Sequence, residues 1–150
     1  SPADGTIKEI QKIDYDGKPY YKIVIFLSVL NCHINRIPYD GKVIRRTFLP
    51  GKFYAAFKAD IDSSNQRCET VFETNKGIMK VNQITGAIAR RIVNYLKEHQ
   101  QVEAGDRFGL IKFGSRTDLY IPMPVKILVK KGQKIKGGIS TVAQYSETPK

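Results

Sequence analysis

Ser115 follows Gly114 inside Gly-Leu-Ile-Lys-Phe-Gly-Ser-Arg-Thr-Asp-Leu-Tyr-Ile-Pro, between two strand-like runs. Gly114 has no Cβ, so its peptide can adopt conformations closed to other residues, and a nucleophile can approach its carbonyl closely. A serine hydroxyl beside a strained carbonyl can attack its own backbone. The bland reading is a plain turn, where Gly-Ser pairs are common. Two histidines are available for acid–base work near neutral pH, His33 and His99. His99 lies in the polar run Lys-Glu-His-Gln-Gln and reads as solvated surface, and a lone histidine such as His33, within Asn-Cys-His-Ile-Asn-Arg, is by itself more often structural than catalytic. Asp4 precedes Gly5, which by itself signals only a turn. Cys32 and Cys68 make no disulfide framework, and without a CxxC pair no zinc site is expected. Reduced thiols fit a cytoplasm-facing location.

These residues must be held by a mainly β scaffold. Short apolar segments separated by Gly, Pro and Asp recur along all 150 residues, a length that suits one domain spanning 1–150. The run Ile-Val-Ile-Phe-Leu-Ser-Val-Leu at 23–30 is too short to span a membrane and reads as a strand buried on both faces. Tyr39-Asp40-Gly41-Lys42 is the clearest hairpin signal, and Asp16-Gly17 is a weaker one. After Pro124, Val125, Ile127 and Val129 fall on one strand face. A faint repeat relates 102–111 to 129–139, each with a strand end, a Gly turn and a second apolar strand. It resembles the turn units of biotinyl and lipoyl carrier domains, flattened β-sandwiches or barrels, without the lysine that those carriers modify. At most one or two short helices are expected. Ile84, Ile88, Ile92, Tyr95 and Leu96 have helical spacing, although Gly86 weakens a helix.

The charge asks for an anionic partner, with 25 Lys+Arg against 14 Asp+Glu and a net charge of +11. Lys126, Lys130, Lys131, Lys134 and Lys136 fall in a stretch without Asp or Glu, which is either a solvated face or a surface for anionic lipid. A basic β-domain gripping nucleic acid is allowed by eight Tyr and seven Phe beside many Lys, but no ribonucleoprotein motif or zinc-finger spacing is present. A serine hydrolase is disfavoured because Gly-x-Ser-x-Gly is absent around Ser115.

Three blocks, Ser-Pro-Ala-Asp-Gly at the start, Phe-Leu-Ser through Asn-Cys-His-Ile-Asn-Arg-Ile-Pro, and Phe-Gly-Ser-Arg at 113–116, resemble the phosphatidylserine decarboxylases in that order. Lys52 to Phe57, Asn65-Gln66-Arg67 and the stretch from Gln83 to Ile92 extend the likeness over nearly the whole chain. The match is closest to the short form, and it places 83–92 on strands near the active centre. The resemblance implies a proenzyme that cuts itself between Gly114 and Ser115 into chains 1–114 and 115–150, which stay associated. Ser115 attacks the Gly114 carbonyl, the peptide becomes an ester, and elimination leaves a dehydroalanine that hydrolyses to a covalent pyruvoyl group. That ketone supplies the electron sink for loss of CO₂, as pyridoxal phosphate does elsewhere.

Carried onto this chain, the catalytic residues are Ser115, His33 and Asp4, with Asp4 supporting the histidine or Ser115 in the manner of a hydrolase triad. Long forms have a second histidine where this chain has Arg36, and threonine where it has Arg116. Arg36, Arg67 and Arg116 are candidate phosphate ligands, since a guanidinium fork matches phosphate. The implied substrate is phosphatidylserine, or archaetidylserine with the same head group, and nucleic acid is not expected as a partner. Peripheral attachment to the cytoplasmic face of the cell membrane is expected. An N-terminal anchor upstream of Ser1 and a homo-oligomer both stay open.

Overall fold

The computed structural model describes residues 1–27, 34–49, 66–85, 92–111 and 115–145. β1 (Gly5–Tyr15) and β2 (Lys18–Leu27) form a hairpin around Asp16-Gly17, whose φ angles are 53° and 76°. Two successive positive φ values match the twist of the flanking strands, and Gly accepts one without steric cost. Next come β3 (Ile34–Arg36), β4 (Gly41–Leu49), β5 (Arg67–Thr74) and β6 (Gly77–Ile84). They are followed by β7 (Ile92–Asn94), β8 (Gln101–Val102), β9 (Arg107–Ile111) and β10 (Ser115–Pro122). The two-residue strands β11 (Lys126–Ile127), β12 (Lys134–Ile135) and β13 (Ala143–Gln144) complete the described elements.

Eight strands make one strongly curled half-barrel sheet, in the order β12-β1-β2-β10-β6-β5-β4-β8. A second sheet has β9 between β3 and β7, and β11 pairs with β13. No helix occurs among the described residues, so the expectation of a mainly β chain is met. The helical spacing around 84–96 resolves into the ends of β6 and β7, with 86–91 outside the described residues. Apolar residues at that spacing serve two different strands, and tertiary pairing outweighs the local period.

Side chains alternate across β10, so Ser115, Thr117, Leu119 and Ile121 share its inner face. They stand in register with Leu27, Ile25, Ile23 and Tyr21 of β2. The core gathers on that face from Ile7, Ile23, Ile25, Leu27, Val81 and Leu119, and Phe108 of β9 joins it. The Phe72 and Phe108 rings meet edge-on with centroids 6.4 Å apart. Each such side chain contributes about 1.5–3 kcal/mol on burial, and together they hold the small sheet against the half-barrel.

Tyr39-Asp40-Gly41-Lys42 is not a hairpin turn. β3 pairs with β9 and β4 with β5 and β8, so this segment carries the chain from one sheet to the other. Gly41 is required by close approach, since a Cβ there would lie 2.4 Å from the Glu73 carbonyl oxygen. Asp40 accepts a hydrogen bond from the Ala104 N–H at 2.7 Å.

The faint repeat is a true structural repeat. Gly105 and Gly132 have φ of 90° and 89°, and their N–H groups donate to the Ile37 and Ile7 carbonyls at 2.8 and 2.7 Å. The next residues return the bond: Asp106 and Gln133 carbonyls accept from the Ile37 and Ile7 N–H groups. Val125, Ile127 and Val129 pack toward the core as the alternation predicts, although only Lys126 and Ile127 form ladder pairs.

Candidate active site

Ser115 is the first residue of β10, paired with Leu27 at the end of β2, and it is fully buried. Its Oγ has no hydrogen-bond partner among the described residues. A buried, unpaired hydroxyl costs about 1–3 kcal/mol, so one in a folded protein calls for an explanation. β10 is held on both sides, by β2 from Ser115 onward and by β6 from Arg116 onward. The C-terminal side of the Gly114–Ser115 bond is thereby clamped in the middle of the large sheet. Gly114 and His33 lie outside the described residues.

Asp4 stands immediately before β1, at the end of the half-barrel where β1, β2 and β10 bring Thr6, Phe26 and Arg116 into one row. Two strand spacings of about 4.8 Å separate β1 from β10. The Asp4 Oδ1 accepts the Gly137 N–H at 2.6 Å, which anchors the turn after β12 to the start of β1.

The arginines separate by face. Arg116 points to the outer face, opposite to Ser115, and is 2% exposed. Its Nε and Nη2 donate to the two Asp118 carboxylate oxygens, each at 2.8 Å. Lys22 adds a contact to Asp118 at 3.6 Å. Burial pushes the Asp118 carboxyl upward against the Arg116 charge and hydrogen bonds, which pull it down. Arg67 lies in the Arg116 row on the same outer face and donates from Nε to Glu69 at 2.9 Å, with Lys80 on the other Glu69 oxygen at 3.0 Å. Arg36, half-buried on β3, donates from Nη1 to the Gly105 carbonyl at 2.8 Å. His99 is exposed at positive φ, as the polar run around it suggests.

Between the two sheets lies a layer of buried polar residues that motif reading did not single out: Asn35, Thr70, Gln83, Asn94 and Thr117. Asn94 donates to Gln83, Gln83 to Asn35, and Asn35 to Thr117, at 2.9, 2.9 and 3.2 Å. A polar residue on the buried face of each of five strands is the one signal that could have found them. Farther along the inner face, beside Leu119 and Ile121, is a cavity of about 500 Å³ lined by Ile37, Met79 and Val142. It begins four residues from Ser115, about 13 Å at the rise of a strand, so it is separate from Ser115. No group of three or more His, Cys, Asp or Glu able to hold a metal occurs among the described residues.

The phosphatidylserine decarboxylase family model matches residues 1–143. The chain belongs to that family. It is 42% identical to the phosphatidylserine decarboxylase proenzyme of Wolbachia sp. subsp. Brugia malayi, over 98% of this chain and 67% of the relative. The proenzyme of Ehrlichia chaffeensis is also 42% identical, over 100% of this chain and 69% of its own length. That of Nitrobacter winogradskyi is 41% identical, over 99% and 63%. The chain therefore spans about two thirds of the length of these relatives. No solved structure matches it. In this phosphatidylserine decarboxylase family member, Ser115 sits at the buried start of β10 with no hydrogen bond to its Oγ from the described residues.

Proposed function

We propose that this chain is the catalytic region of a self-processing decarboxylase that converts phosphatidylserine to phosphatidylethanolamine. The observation that carries the reading is Ser115: a buried hydroxyl with no partner among the described residues, at the start of a central strand, directly after Gly114. Its relatives are named proenzymes, which agrees with a chain that must be cut before it acts. Ser115 Oγ attacks the Gly114 carbonyl, and His33 takes the Ser115 proton and later returns one at the substrate α-carbon. Asp4 supports His33 electrostatically. The pyruvoyl group derived from Ser115 supplies the ketone that acts as electron sink.

Cleavage leaves β10 in the 115–150 chain between β2 and β6 of the 1–114 chain, and β12 against β1. The two products are therefore held by a continuous ladder as well as by the shared core. Of the three arginines, we assign Arg36 to the lipid phosphate. Arg67 and Arg116 already serve Glu69 and Asp118, whereas Arg36 has no carboxylate partner among the described residues. The substrate's bilayer location calls for attachment at the membrane surface, and the exposed lysines of 126–136 are the proposed contact.

The test is the intact mass and the denaturing gel of the parent and of Ser115→Ala. The parent gives two fragments split at 114/115, the C-terminal one lacking a free amine. Ser115→Ala stays whole and inactive, because alanine has no hydroxyl to attack or eliminate. Two fragments from the alanine variant remove Ser115 from the mechanism.

A further inference from the structure

We propose that Asn35 is a positioning residue that locks together the three sequence blocks on which the reaction depends, and that it acts through Thr117 to set the start of β10. The inference rests on the assignment of Ser115 and extends it to a side chain to which the motifs assigned no role.

Asn35 is fully buried on β3, two positions after His33. Its Nδ2 donates to Thr117 Oγ1 at 3.2 Å, two positions after Ser115 on the same face of β10. The same Nδ2 donates to the Pro2 carbonyl at 3.4 Å, two positions before Asp4. The neighbouring Arg36 N–H donates to that carbonyl as well, at 2.9 Å. One side chain thus touches the strand of Ser115 and the segment of Asp4, while it shares its own block with His33. Residues about 30 and 80 positions apart are brought into one contact set by a single primary amide.

Backbone groups dictate the direction of the amides. The Leu96 N–H can only donate, and it donates to Asn94 Oδ1 at 3.0 Å, so Asn94 must turn its Nδ2 toward Gln83 Oε1. Gln83 then presents its Nε2 to Asn35 Oδ1 at 2.9 Å and to the Val93 carbonyl, an obligate acceptor, at 3.1 Å. Asn35 is left with its Nδ2 facing Pro2 and Thr117. Each amide has one orientation that satisfies its neighbours, so the chain is rigid and cannot flip at one end without leaving buried groups unpaired. Thr117 Oγ1 is fixed as an acceptor, and with it the strand segment that begins at Ser115. Thr117 falls in the 115–150 chain and Asn35 in the 1–114 chain. The same bond therefore spans the two products after cleavage, next to the new terminus.

The experiment compares Thr117→Val, Thr117→Ser, Asn35→Asp and the Asn35→Asp/Thr117→Val double variant in the full chain. First-order conversion of precursor into two fragments is followed on a gel, with the melting temperature recorded in parallel. Valine has the shape of threonine without the hydroxyl, so Thr117→Val should slow conversion about 10- to 100-fold, the range expected for a misplacement near 1 Å. Serine keeps the hydroxyl, and Thr117→Ser should cleave within about threefold of the parent, on the same scale. Asn35→Asp keeps the acceptor for Gln83 and loses the donor, and it should be slowed like Thr117→Val. The double variant should be no slower than the slower single, because both singles already remove the Asn35–Thr117 bond. Parent-like cleavage by Thr117→Val, or failure of Thr117→Ser to restore the rate, overturns the inference. If Asn35→Asp fails to fold, the Thr117 pair alone decides. Cleavage by Ser115→Ala instead overturns the underlying site, so the two failures are distinguishable.

Discussion

Cys68 lies in the same buried polar layer, within 3.5 Å of the Asn94 amide, and its environment makes a measurable claim. Burial pushes the thiol up to about 11, outweighing the Arg46 charge and the hydrogen bonds of Thr70 and Asn94 that favour the thiolate. A free thiol titrates near ~8.5. Iodoacetamide at pH 8 should therefore leave Cys68 unmodified in the folded protein and label it in denaturant, as peptide mapping would show. Equal labelling in both states would contradict the buried placement. The sign for stability follows from linkage: the folded pKa is the higher one, so this contribution is complete below ~8.5 and is lost as pH rises toward 11. The motif blocks pointed to Ser115, but not to this layer as a contact set. Asn35, Gln83 and Asn94 matter through partners 11 to 82 positions away, and spacing along the chain does not encode those distances.

At the scale of elements, the close fit of β9 between β3 and β7 depends on Gly109. A Cβ there would lie 2.1 Å from the Val93 carbonyl oxygen and 2.9 Å from Gln83 Nε2, and the first of these is backbone that cannot swing aside. Gly109→Ala should cost about 3 kcal/mol, at the upper end of ordinary overpacking, read as a lowered urea midpoint. Gly105→Ala is the control. Its Cβ would meet nothing within 4 Å, so only the positive φ of 90° opposes it, at about 1–2 kcal/mol. Equal losses for the two would mean that conformation, and not space, governs both. The turn at Asp16-Gly17 was legible because its chemistry is local. Asp40-Gly41 carries the same dipeptide and joins two sheets, because what Gly41 satisfies is the approach of β5, which no local pattern contains.

At the scale of the molecule, the net charge of +11 and the exposed Lys126, Lys130, Lys131, Lys134 and Lys136 define one strongly basic region. Leu128 and Ile139 are exposed beside them, at 40% and 78%. Lysines near an anionic leaflet contribute about 1 kcal/mol each, screened over a Debye length of about 8 Å at physiological salt. Replacing Lys130, Lys131 and Lys134 with Gln should weaken cosedimentation with phosphatidylserine vesicles, and added salt should weaken it in the parent. Decarboxylation of a short-chain soluble substrate should be unchanged, since Ser115 lies on the inner face of the half-barrel. Binding that ignores both changes would make the basic run a solvated surface only.

Composition and strand periodicity were enough to specify a mainly β chain, because alternation and turn chemistry are properties of neighbours in sequence. The order of three short blocks was enough to specify the family and to single out Gly114-Ser115. Tertiary structure alone decided that β10 is central and buried along its whole length, which places Ser115 inside and Arg116 outside on adjacent positions of one strand. It also decided that Arg67 and Arg116 are committed to carboxylates and that Asn35 joins the blocks. Such facts depend on which strands pair and in what register. A shift of one residue would exchange every inner and outer side chain, and that register is set by the packing of the whole core.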